Sequence, residues 1–318
     1  MTAIPAADAA WHYRLINASI AAMHVRRDPP DPETPAKKKP PALSPDAPGY
    51  HAVGLKAPPT CFLGGERDIN AGFLGETSDN YVVLAFRGTL GGNDTSDSLA
   101  ICLDWAQDRL YGLQPFTAMD GLVYGQTCEG FTAALTSIWS DVETALAKMS
   151  WVGKRGIWIT GHSKGGAMAG VAATRVQHLY PQASHPTKVV TFGAPMVADG
   201  LFKVNYARSG LQANTVRYQN QHDPVPMAPS QKTPGMQNIL PGCTAVYDEV
   251  AAVEGCEHLG ELRYITRDLF GNYEIKVGDN FGGEYVLSLA ALANNLALAG
   301  EAHNPNNNYL NCFRLADT

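Results

Sequence analysis

Apolar and polar positions along the chain follow two periods, one helical and one extended. Residues 6–27 are alanine-rich, with Trp11, Leu15, Ile16, Ile20 and Met23 at helical spacing, which predicts an N-terminal amphipathic helix. Eight prolines follow between 28 and 48 (at 29, 30, 32, 35, 40, 41, 45 and 48), a density that no helix or central strand survives. An exposed, extended loop inserted within the domain is expected there. Tyr81-Val82-Val83-Leu84-Ala85-Phe86 is a continuous apolar run that reads as a buried strand and stops at Arg87-Gly88-Thr89. Residues 129–150 read as a helix, 156–160 as a short strand and 164–180 as a second helix. Lys188–Phe192 and Thr215–Tyr218 read as further strands, 262–265 as a late strand, and 284–299 as a helix rich in Ala and Leu. Strand and helix alternate from 81 to 219, which predicts a mainly parallel sheet wrapped by helices, in one α/β domain over residues 1–318. No internal repeat interrupts this order.

The segment Gly161-His162-Ser163-Lys164-Gly165 joins the 156–160 strand to the 164–180 helix. A Gly-x-Ser-x-Gly at such a junction is the nucleophile elbow of the α/β-hydrolase fold. The serine sits on so tight a turn that its neighbours two positions away cannot carry side chains. A serine hydroxyl is a poor nucleophile at neutral pH, so it needs an imidazole base and an acid to orient that base, in chain order Ser, acid, His. Asp223, just past the Thr215–Tyr218 strand and before Pro224, is the candidate acid; the alternative is an Asp that only shapes an Asp-Pro turn. His303, in a polar loop after the 284–299 helix, is the candidate base, with His258 in reserve at the start of the late strand. His162 and His222 read as structural. The oxyanion of a tetrahedral intermediate needs pre-aimed donors. The backbone N–H of Lys164 is one candidate and Thr89, with its amide and hydroxyl, the other, although Gly88-Thr89 can equally be a plain turn.

Composition narrows the alternatives. Net charge is −6, and the only basic run, Lys37-Lys38-Lys39, lies among prolines, which argues against a nucleic-acid partner. No apolar run approaches the roughly 18 residues of a transmembrane segment, and the N-terminus lacks a basic-then-apolar leader. The six cysteines, at 61, 102, 128, 243, 256 and 312, include no C-x-x-C and no accompanying His cluster, so a zinc site is not expected. They are compatible either with disulfides or with unpaired thiols in a cytosolic enzyme.

Taken together, Ala85-Phe86-Arg87-Gly88-Thr89, Asp104-Trp105-Ala106-Gln107-Asp108, Glu129-Gly130-Phe131, the Ser163 elbow, Thr191-Phe192-Gly193-Ala194-Pro195 and Asp223-Pro224-Val225-Pro226 resemble the class 3 lipases. This is the family of the filamentous-fungal triacylglycerol lipases. The order matches from about Gly72 to Pro226, and His303 with Tyr309 resembles the family's C-terminal end. The resemblance implies an α/β-hydrolase fold with a helical lid, Ser163, Asp223 and His303 as catalytic residues, and Thr89 and Lys164 at the oxyanion hole. It implies no metal or cofactor, an acylglycerol or other ester substrate, action at a lipid–water interface, and secretion, with a cytoplasmic enzyme as the alternative. Feruloyl-esterase-like activity on aromatic or carbohydrate esters and a catalytically silent interaction protein are the other readings that this resemblance leaves. Lys164 stands where the family has Leu, which would put a charge near the pocket mouth. A lid is expected within 91–126, where Leu99, Cys102, Leu103, Ala106, Leu110 and Leu113 form one helical stripe; a helix packed permanently on the core would show the same stripe. The resemblance also implies disulfides: Cys243 with Cys256, Cys61 with Cys312, and Cys102 with Cys128.

Overall fold

Long apolar runs need cover on both faces, and the computed structural model supplies it with helices on either side of one sheet. It describes residues 5–27, 39–90, 112–117, 121, 123–180, 186–223, 225–227, 255–268, 270–278 and 301–314. Chain order is α1 (Ala6–Ala22), β1 (Arg26–Arg27), β2 (Pro41–Ala42), α2 (Tyr50–Val53), β3 (Thr60–Gly64), β4 (Asn70–Glu76), β5 (Val82–Phe86), β6 (Leu113–Thr117), β7 (Val123–Cys128), α3 (Glu129–Lys148), β8 (Ile157–His162), α4 (Lys164–Leu179), β9 (Thr187–Phe192), α5 (Gly200–Arg208), β10 (Thr215–Asn220), β11 (Glu261–Arg267), β12 (Tyr273–Val277) and α6 (Leu310–Arg314).

The central sheet has eight strands in the order β12-β11-β10-β9-β8-β5-β4-β3. The stretch from β5 to β11 is parallel, and the antiparallel pairs β3–β4, β4–β5 and β11–β12 finish its two ends. Parallel neighbours require crossovers, and α4 and α5 provide those from β8 to β9 and from β9 to β10. Side chains alternate between faces. Val82, Leu84, Phe86, Ile157 and Ile159 join a core with Phe131 and Leu135 of α3 and Met168 and Val171 of α4. Val83, Ala85, Trp158, Val190 and Phe192 join a second core with α1 and α6.

Helix α1 departs from the expected amphipathic pattern, for three of its polar positions are buried along with its apolar ones. His12, Asn17 and Ser19 are each 5% exposed or less. Each finds a partner inside: His12 Nδ1 lies 2.7 Å from Tyr218 Oη, Asn17 donates to the Tyr13 carbonyl, and Ser19 Oγ lies 3.2 Å from Thr160 Oγ1. Within the proline-rich stretch, Pro41–Ala42 pairs with Arg26–Arg27 as a short ribbon apart from the main sheet, while 28–38 lie outside the described residues.

The stripe at 99–110 and the 284–299 helix also lie outside the described residues. What is described of 91–126 is extended. β6 and β7 form an antiparallel hairpin, so Leu113 stands in a strand and not in a helix, and Phe116 is buried beside Phe202 of α5. Among the described residues no helix is long and apolar enough to cross a membrane.

The implied Cys61–Cys312 bridge is not formed, and the other two implied pairings each have a partner outside the described residues. Cys61, Cys128, Cys256 and Cys312 are free thiols. Cys61 sits on the outermost strand with its sulfur toward the Pro59 carbonyl, and Cys312 turns back to the Tyr309 carbonyl at 3.3 Å. Cys128 faces Cys256. Cys102 and Cys243 lie outside the described residues.

Candidate active site

Strand β8 runs straight into Ser163 and α4, and the junction is strained. Ser163 has φ 57° and ψ −130°, a region that side-chain-bearing residues seldom occupy, at a cost of about 1–3 kcal/mol. Hydrogen bonds hold it there: its N–H donates to the Phe192 carbonyl at 2.9 Å, and its own carbonyl accepts from Gly166 at 2.9 Å. A Cβ at Gly161 would collide with the backbone of Gly165, and one at Gly165 with the Phe86 carbonyl. The two glycines of the motif are therefore required by contact.

His303 reaches the elbow from the C-terminal part of the chain. Its Nε2 is 2.9 Å from Ser163 Oγ and its Nδ1 is 2.8 Å from Asp223 Oδ2. A carboxylate only accepts, so Nδ1 carries the proton and Nε2 is left to accept from the serine hydroxyl. Asp223 is fully buried at the end of β10. Besides His303, its Oδ2 accepts from Tyr309 Oη at 2.5 Å, and its Oδ1 accepts from the Val225 amide at 2.9 Å.

Further groups fix this arrangement. Tyr309 Oη accepts from the Asn220 amide at 3.1 Å, and Asn220 Nδ2 donates to the Ala302 carbonyl at 3.0 Å, which ties β10 to the His303 segment. His162 donates from Nε2 to the His303 carbonyl at 2.7 Å, with the two rings 4.5 Å apart. Burial, and then the neighbouring His303, hold the His162 imidazole well below its usual pKa, so it is neutral. Gly193, at φ 57°, lies against the whole group: a Cβ there would be 2.8 Å from Asp223 Oδ2 and 3.2 Å from His303 Cε1. Sequence reading singled out neither Asn220 nor the close approach of Gly193. No pattern in the chain signals them, because both depend on the β9–β10 neighbourhood. His258, the reserve base, is elsewhere, lining a small cavity with Gly170, Arg217 and Leu259, where burial lowers its pKa.

Of the two candidate oxyanion residues, one follows the serine directly and the other follows Gly88, which packs against that serine. Lys164 follows it as the first residue of α4. Gly88 lies close against the elbow, since a Cβ there would be 2.9 Å from the His162 carbonyl and 3.5 Å from Ser163 Cβ. Arg87 is buried and anchors this segment to the Asp68 and Val25 carbonyls. The Lys164 side chain corrects the expectation of a charge at the pocket mouth. It is 1% exposed, and its Nζ donates to Asn70 Oδ1 at 3.2 Å. The side chain thus runs to the start of β4, while its amide directly follows Ser163.

The parallel sheet with its strained strand–Ser163–helix junction is an α/β-hydrolase fold. The family model described as Lipase (class 3) matches residues 83–233. A Caenorhabditis elegans lipase is 30% identical over 170 residues, covering 51% of this chain and 44% of the relative, so the chain spans under half the length of that curated relative. Among solved structures, MDLA of Penicillium cyclopium in a mutant form superposes with a TM-score of 0.61 at 19% identity, over 95% of this chain and 96% of that one. A triacylglycerol lipase whose catalytic centre is formed by a serine protease triad superposes with a TM-score of 0.62 at 17% identity, over 98% of each chain. The structural likenesses show the fold, and the class 3 lipase model matches the segment that carries Ser163 and Asp223.

Proposed function

We propose that the chain is a serine carboxylester hydrolase, and specifically a triacylglycerol lipase that cleaves acylglycerol esters through an acyl-enzyme on Ser163. The observation that carries this reading is the continuous hydrogen-bond relay from Ser163 Oγ through the His303 ring to the buried carboxylate of Asp223. Ser163 Oγ attacks the ester carbonyl as His303 Nε2 takes its proton. Asp223 keeps Nδ1 protonated and stabilises the imidazolium. The amides of Lys164 and Thr89 receive the oxyanion. His303 returns the proton to the departing alcohol, then activates water to release the fatty acid. Every proton movement is accounted for by these side chains. The class 3 lipase segment and the likeness to a triacylglycerol lipase favour acylglycerol as substrate and a lipid–water interface as the place of action.

Hydrolysis of emulsified triacylglycerol and of a p-nitrophenyl ester series tests the proposal. Wild type should prefer long acyl chains and respond to an interface, and Ser163→Ala should lose roughly 10⁴-fold or more. Retained hydrolysis in Ser163→Ala refutes the mechanism. A preference for acetate with no response to an interface removes the lipase assignment and leaves an esterase.

A further inference from the structure

Three segments far apart in sequence converge at the start of α3. Cys128 ends β7 and precedes the first turn of α3, and its amide donates to the Val197 carbonyl at 2.9 Å. The Glu257 amide donates to the Ala198 carbonyl at 2.7 Å, and isolated bridges pair Ala198 with both Thr127 and Glu257. The segment 196–199 is thus clamped between the other two. This backbone frame carries Cys256 to within 3.8 Å of Cys128, sulfur to sulfur. An S–S bond is about 2.05 Å long, so the remaining gap is of side-chain size, with the backbone segments already fastened together.

We propose that Cys128 and Cys256 are a redox-active dithiol that closes to an intramolecular disulfide, tying the chain that enters β11 to the start of α3. The pairing differs from both bridges that family resemblance implies for these two cysteines, and it does not depend on the hydrolase reading. Cys128 is buried, and Cys256 is partly exposed and so open to a small reagent. Either sulfur can donate across the 3.8 Å contact, and hydrogen bonding with Cys128 lowers the pKa of the Cys256 thiol, which favours Cys256 as the thiolate.

The reaction is exchange with a low-molecular-weight disulfide such as oxidised glutathione. The Cys256 thiolate attacks one glutathione sulfur, forms the mixed disulfide and releases one glutathione thiolate. Cys128 then gives up its proton and attacks Cys256 Sγ, which breaks the mixed bond and releases the second glutathione. The two protein thiols lose two electrons and two protons, and oxidised glutathione gains both as two molecules of glutathione.

Equilibration of the full chain over a series of oxidised-to-reduced glutathione ratios tests this, with thiol alkylation, proteolysis without reductant and mass spectrometry. The expected product is a linked peptide pair containing Cys128 and Cys256 that disappears on reduction, with a higher Tm for the oxidised protein than for the reduced. In Cys256→Ser, and independently in Cys128→Ala, that pair is lost and the Tm no longer depends on the glutathione ratio. Peptides joining Cys256 to Cys243 or Cys128 to Cys102 overturn the proposal, as does alkylation of both cysteines at the most oxidising ratio.

Discussion

Tyr309 donates its hydroxyl to the same oxygen of Asp223 that receives the His303 ring, at 2.5 Å against 2.8 Å. One oxygen of a fully buried carboxylate therefore serves both an orienting tyrosine and the imidazole. A hydrogen bond to a buried charge is worth about 1.5–3 kcal/mol, and removing the donor leaves the acceptor unsatisfied. Tyr309→Phe should lower kcat by about tenfold and stability by about 1–3 kcal/mol, since the ring stays packed against Phe192 while the hydroxyl goes. Ester hydrolysis and urea unfolding of the same preparation check both. Unchanged values in the two assays mean that the tyrosine plays no part in placing Asp223.

Gly193 occupies a spot from which a methyl group would push on Asp223 and His303 at once. Its φ of 57° adds about 1–2 kcal/mol of strain for any side chain. Displacements of an ångström in a catalytic relay cost on the order of 10²-fold in rate. Gly193→Ala should therefore remain folded by circular dichroism yet lose activity by about that factor. Wild-type rates in this variant would show that the site tolerates a shift of the carboxylate.

Much of this architecture is legible in the sequence, and the reason is burial. Strands β5 and β8 are buried along their whole length and begin as apolar runs, while β9 and β10 keep β-branched and aromatic residues among polar ones, and all four lie within two residues of their predicted places. The antiparallel strands β3 and β4 carry no such signal. Asn70-Ala71-Gly72-Phe73-Leu74-Gly75-Glu76 contains two glycines and polar ends, and pairing with β5 makes it a strand. The polar residues of α1 mislead for the opposite reason. His12, Asn17 and Ser19 read as a wet face until Tyr218, the Tyr13 carbonyl and Thr160 are seen to receive them.

At the site, Ser163, Asp223 and His303 stand out in sequence through the elbow motif, the order of acid and base, and resemblance. The choice between His303 and His258 is open on sequence alone, and in the structure only His303 makes hydrogen bonds to both Ser163 and Asp223 among the described residues. Asn220 and Gly193 matter through contacts across strands, which no local pattern encodes.

Lys164 separates the work of a backbone from that of its side chain. The amide is the proposed oxyanion donor, whereas the ammonium is buried against Asn70, which itself donates to Ser137 of α3. Lys164→Met keeps the amide and should hold kcat/KM within about threefold of wild type, because the loss of an oxyanion donor costs about 10²–10³. A fall of that larger size on short soluble esters would assign the ammonium itself to the reaction.

Three buried histidines set a pH dependence for stability. Burial is the largest cause that holds His12, His162 and His258 below their usual pKa, to about 3 for His12. Each is neutral in the fold and free to take a proton once unfolded, so below about pH 6.5 the unfolded chain binds more protons and stability falls as pH falls. Above about pH 7 both states are neutral and this contribution is flat. Each histidine adds at most about 1.4 kcal/mol per pH unit, from its unfolded pKa down to its folded one. Glu76, held low by hydrogen bonds from Lys154 and Lys56, titrates below the upper part of this window. Urea midpoints measured from about pH 8 to about pH 5 should hold level and then decline, and His12→Asn should decline less steeply by about one proton. An equal slope in wild type and His12→Asn would show that His12 takes up its proton without unfolding.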